Sequence, residues 1–263
     1  MSSGQDALAD PVVRRLRRFY STNFMYAMFC HPDPLDFGML IKQNKIILVS
    51  LEVDRAKVPP SEQQLLGALI VSQIELAARK VGKPKPVDFR LYVDEAKEFI
   101  ATSLPDLFDE IRKYGVWVTI ANQYLDQLKG KTLSAVMGNV TTTVAFSIGL
   151  DDASEIGQYM KPAIQPEDLL HLGVHRAAIR TILNNQAQPS FIVDTLPPPP
   201  AHTEGKARVE RIKQRSIIQW TPKTRAQVLA WLEERYPRQN LNIPKGNEPN
   251  KPRHDDDDFE VAG

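Results

Sequence analysis

The sequence predicts an α/β fold: a mostly parallel sheet flanked by helices, with a helical extension towards the C-terminus. Three observations predict it. The runs at 45–51 (KIILVSL), 89–93 (FRLYV) and 116–122 (VWVTIAN) are short and rich in apolar and β-branched residues, as strands of a buried parallel sheet are. Segments with apolar residues at helical spacing lie between them, which is the alternation that builds a parallel sheet. The 263 residues are 42% apolar, enough for a substantial core. The net charge is only +1, so no overall field draws the chain to nucleic acid and any such contact rests on local patches. Cys30 is the only cysteine, which excludes an intrachain disulfide and metal centres built from several thiolates. No apolar run approaches the length of a membrane span, so a soluble, intracellular chain is expected.

Residues 1–44 form a flanking segment, helical in part. Arg14, Arg15, Arg17 and Arg18 give a basic stretch that either touches DNA or anionic lipid or is a solvated helix face. The run 24–30 (FMYAMFC) reads as core or interface packing, and His31 beside two prolines is assigned no ligand role. Residues 45–51 are expected as the first strand. After Pro59-Pro60, Ser61 and Gln64 have the spacing of a capping box. The helix they open, running to about residue 80, is expected to bury Leu65, Leu66, Leu69, Ile70, Ile74 and Ala77. With the strand at 89–93 this makes a right-handed βαβ unit.

That strand ends in Asp94 and Glu95. The carboxyl edge of a parallel sheet is where ligands of open α/β folds sit, so a carboxylate pair there has the placement to hold Mg²⁺ and to activate water. The other reading is that the two acids open the next helix. Residues 105–114 (PDLFDEIRKY) have helical spacing and end at Gly115, a C-cap signal. Arg112 and Lys113 in that last turn also suit the helix dipole. The strand at 116–122 then ends on Gln123, which is either a second polar group at the same sheet edge or a simple strand cap.

Gly130-Lys131-Thr132 has the last three letters of a phosphate-binding loop, but Leu125 stands where the first glycine is needed. A helix at 133–137 and a further strand of the same sheet at 140–148 (VTTTVAFSI) follow. Asp151-Asp152 is expected to cap a helix at 153–160, because no strand carries the pair to the sheet edge. One helical turn at 166–170 and a hairpin of 174–183 with 190–196, joined through 184–188, complete the domain 45–200. Pro197 to Pro200 is a stiff spacer. Residues 201–237 hold two amphipathic helices, 205–220 and 224–236. Lys206, Arg208, Arg211, Lys213 and Arg215 on the first form a basic stripe that either meets phosphates or is solvated. Residues 238–263, ending near Asp255–Asp258, are too polar to fold alone.

The run from Phe89 to Gly149, with VDE, RKYG, ANQYLDQL and GNVTTTVAFSIGLDDA, resembles the C-terminal half of the motor domain of TraD/TraG-type conjugative coupling ATPases, which carries the TraM-recognition region and is related to the HerA/FtsK DNA pumps. The resemblance covers roughly residues 30–235. It implies a RecA-like P-loop NTPase core and ATP with Mg²⁺ as cofactors. Asp94 would hold Mg²⁺ through water, Glu95 would activate the attacking water, Gln123 would sense the γ-phosphate, and Arg112 would reach the neighbouring subunit's nucleotide. It further implies a hexameric ring that pumps DNA, with relaxosome or secretion-system partners, at the cytoplasmic face of the membrane. The chain departs from the pattern in having no Walker A loop, so the phosphate-binding half must be supplied from elsewhere. A chain without that half should bind nucleotide weakly, and the alternative function is a non-catalytic module that binds DNA or the relaxosome.

Overall fold

A computed structural model describes residues 19, 22–51, 59–82, 87–96, 111–125, 128, 131–201, 203–221 and 223–237. The basic residues Arg14 to Arg18, most of the expected helix at 105–114 and the tail from 238 lie outside them. The chain divides into a unit of residues 34–216 and a unit joining residues 1–33 to 217–263.

In the larger unit, helix α2 (Phe37–Lys42) starts at Asp36, whose Oδ1 accepts the Met39 N–H at 3.0 Å. Helix α1 (Asn23–Phe29) belongs to the smaller unit. Residues 45–51 are no strand: the segment lies outside any helix or sheet, with Ile46 90% and Leu48 81% exposed. Its β propensity has nothing to pair with among the described residues, and the expected βαβ unit is therefore not assembled. Helix α3 (Pro60–Val81) begins two residues earlier than a Ser61 cap allows. Pro60 sets the helical φ at N1 and needs no partner for an N–H, so Pro59 is the N-cap and no side-chain cap forms. Leu66, Ile74 and Ala78 are buried, whereas Leu65, Leu69, Ile70 and Ala77 are half-buried.

Strands β1 (Phe89–Val93) and β2 (Val116–Ile120) pair in parallel, from Phe89 opposite Val116 to Val93 opposite Ile120. Leu91, Val93 and Val116 face a core shared with Ile74 and Ala78 of α3. The other face is open: Tyr92 is 69% and Trp117 53% exposed, so this sheet is covered on one side only among the described residues. A turn of 3₁₀ helix, Arg112–Tyr114, leads into β2 through Gly115 at φ +82°. A side chain there would lie 1.6 Å from the Val87 carbonyl oxygen, so only glycine fits.

After α4 (Lys131–Asn139), strand β3 (Thr142–Ala145) is shorter than its β-rich run and does not extend the parallel sheet. It pairs antiparallel with β4 (Arg176–Leu183), Thr142 opposite Thr181, and the two hydroxyls lie 2.8 Å apart. Helix α5 (Leu150–Met160) buries Ala153, Ile156 and Met160 in the same core, and its Gly157 lets Pro166 of α6 (Pro166–Leu170) approach closely. The hairpin forms, but its turn is tighter than the expected 184–188 connection, because Gln186 and Ala187 already pair with β4. Asn184 and Asn185 take φ +51° and +61°, the left-handed pair that a two-residue hairpin loop requires. It returns through β5 (Gln186–Ala187) and then β6 (Phe191–Asp194), both antiparallel to β4. Pro197 to Pro200 is exposed and outside any helix or strand.

Helix α7 (Gly205–Trp220) leads into the smaller unit and contains no buried residue. There, α1 packs on α8 (Arg225–Arg235) around Ala27, Val228 and Leu232. Thr224 and Gln227 close a full capping box on α8. His31 accepts the Asp33 N–H through Nδ1 at 3.0 Å, a contact within the turn. The Asp33 carboxylate pairs with Lys223, whose ammonium hydrogen bond holds it below the usual carboxylate range.

Candidate functional site

The carboxyl ends of β1 and β2 form the site. Past the last paired residues, Ala121 donates its N–H to Val93 O at 2.9 Å and accepts the Ala96 N–H at 3.1 Å. Asp94 and Glu95 therefore loop out between two hydrogen bonds to one residue, which fixes them at the edge of the sheet. Asp94 Oδ1 accepts the Glu95 N–H at 3.0 Å. That bond runs to the next residue, not to the second or third amide of a following helix as a helix cap would. Glu95 has φ +49°, a left-handed conformation uncommon outside glycine and asparagine. Asp94 is exposed and Glu95 half-buried.

Gln123 follows the end of β2 by three residues and is exposed. Parallel pairing thus puts Asp94, Glu95 and Gln123 on one edge, although they come from two loops of the chain. Arg112 is not among them. It precedes β2, and five strand residues at about 3.3 Å each separate it from that edge by roughly 16 Å. Its guanidinium lies 5.7 Å from the centre of the Trp117 ring, on the open face of the sheet.

Asp152 enters the site without having been expected there. It does not cap α5, since Gly149 is the N-cap and Asp151 and Asp152 stand in the first turn. Instead Asp152 Oδ2 accepts the Leu125 N–H at 3.3 Å, tying the loop that carries Gln123 to the start of α5. The sequence offers no local signal for this contact, because the partners are 27 residues apart.

An exposed carboxylate at a strand end, with one oxygen engaged by a backbone amide, suits Mg²⁺ held by one side chain and water. No cluster of three or more metal-ligating side chains occurs among the described residues. A cavity of 220 Å³ between α2 and α3, lined by Leu35, Phe37, Gln73, Leu76 and Lys80, includes none of the site residues. Among the described residues no helix is long and apolar enough to cross a membrane. The chain matches no family model and no curated protein.

Proposed function

We propose that this chain is the Walker B half of a RecA-like, DNA-translocating ATPase of the conjugative coupling type. The observation that carries the reading is the joint placement of Asp94, Glu95 and Gln123 at the carboxyl edge of a parallel strand pair. Glu95 takes a proton from the attacking water as its oxygen bonds the γ-phosphorus and the bond to the β-γ bridging oxygen breaks. Asp94 would hold Mg²⁺, which would offset the charge of the phosphates, and Gln123 orients the γ-phosphate end. Arg112, about 16 Å from its own edge, serves the next subunit's nucleotide in a ring, where its charge stabilises the transition state. The ring is hexameric, moves DNA, and docks relaxosome or secretion-system partners at the cytoplasmic face of the membrane.

The phosphate-binding loop is missing from these 263 residues, so its amides and lysine come from another polypeptide segment. Among the described residues the 45–51 run has no strand partner and one face of the parallel sheet is open, which leaves room for such a segment. The test is ATP hydrolysis by the chain alone and mixed with a Walker A-bearing half, with and without DNA. Turnover only in the mixture, abolished by Glu95→Gln, is expected. Turnover by the chain alone would overturn the half-motor reading. Unchanged function of Glu95→Gln in the mixture would favour a non-catalytic binding module.

A further inference from the structure

Helix α7 buries none of its side chains, and every residue from 206 to 219 is exposed. Helices in proteins gain most of their stability by packing an apolar face, and α7 has such a face with no cover among the described residues. At 100° per residue, Val209, Ile212, Ile217 and Trp220 fall within an arc of about 140° that runs about 16 Å along the axis. Trp220 is half-buried, and the other three are about half exposed. Cations stand at both borders of that arc. Arg208 and Arg215 lie about 40–60° beyond Ile212, with Arg211 behind them, and on the other side Lys206 and Lys213 lie between Trp220 and Ile217. The lysine stems are long enough to carry their ammonium groups clear of apolar surroundings. Glu210 is the only acid of the helix. It meets Lys213 at 3.0 Å with both side chains more than half exposed, a pair that an anionic surface displaces at little cost.

This arrangement selects the occupant. A second copy of α7 laid face to face would bring the Lys206 and Lys213 of both into one seam, where like charges repel. A nucleic acid would meet the arginines and leave the apolar arc in water. A lipid surface with anionic headgroups meets both at once, as helices that lie in a bilayer interface do when a Lys- and Arg-rich face backs an apolar one carrying Trp. At 16 residues, and with cations along its length, α7 is too short and too charged to span instead.

We propose that α7 lies on anionic lipid, its apolar face sunk to the boundary of headgroups and acyl chains and its cations against the lipid phosphates. The contact is made by this chain directly and needs neither nucleotide nor a second half of a motor, so it is independent of the ATPase reading. The experiment is cosedimentation of the full chain, without nucleotide, with vesicles of phosphatidylcholine alone or with about one-third phosphatidylglycerol, read together with tryptophan emission. A mixed-sequence DNA duplex is a separate arm. We expect binding at least about tenfold stronger to the anionic vesicles, weakening as salt rises, with a blue shift in emission that Trp220→Phe removes. Val209→Gln/Ile212→Gln/Ile217→Gln and Arg208→Gln/Arg211→Gln/Arg215→Gln should each weaken it by at least about tenfold. All six replaced residues are exposed, so the melting temperature stays at that of the natural chain. Equal binding to neutral and anionic vesicles, full binding by either triple variant, or an emission shift that survives Trp220→Phe would overturn the proposal. So would binding to the DNA duplex in place of the vesicles. An oligomer that forms without lipid and is dissolved by the apolar substitutions would overturn it too, by giving the face to a second copy.

Discussion

At the scale of the residue, two positions show how local geometry is fixed by contacts far along the chain. Gly115 is a C-cap signal in the sequence, and its necessity comes from Val87, whose carbonyl oxygen occupies the place of any side chain. Gly115→Ala should therefore cost at least about 2 kcal/mol, combining a left-handed φ with a backbone clash. Chemical denaturation against the natural chain measures it, and a loss under about 0.5 kcal/mol would refute the close approach. Asp33 and Lys223 set a pH dependence. Lys223 lowers the folded-state pKa of Asp33, so the pair's contribution is present above the unfolded value and is lost as pH falls through the lowered one. Lys223→Met should then lower the melting temperature slightly near neutral pH, with the difference vanishing well below about pH 4. A difference that grows in acid would contradict the sign. Glu95, held left-handed between the two Ala121 hydrogen bonds, takes a conformation that its residue type seldom adopts.

At the scale of the element, strength of pattern did not guarantee formation. The 89–93 and 116–120 strands formed where their composition placed them, because each supplies the other's hydrogen bonds in register. The 45–51 run is as β-rich but lies outside any sheet and largely exposed, because a strand is completed by a neighbour, which propensity cannot supply. The same competition redirected 140–148, whose central residues pair antiparallel with β4, a strand of the hairpin that Asn184 and Asn185 close. Leu48→Lys tests the fate of the unpaired run. In the chain alone the substitution should change stability by no more than about 0.5 kcal/mol, since Leu48 is 81% exposed. In the mixture with a Walker A-bearing half it should abolish the recovered ATP turnover, because a charge then enters a completed sheet. Full turnover would mean that the run stays outside the sheet in the motor as well.

At the scale of the whole molecule, the sequence by itself determined the α/β character, the helix and strand content of the parallel pair, and the identity of three residues at its edge. It could do so because strand period, turn residues and a strand ending in acids are local properties of a few consecutive residues. The tertiary structure alone decided which strands share a sheet, that Arg112 stands at the far end from Asp94, and that Asp152 anchors the loop bearing Gln123. It also decided that, among the described residues, α7 buries none of its side chains. Those outcomes depend on pairing and burial between segments tens of residues apart, where the energy lies in the partner that is present and not in the pattern of the segment itself.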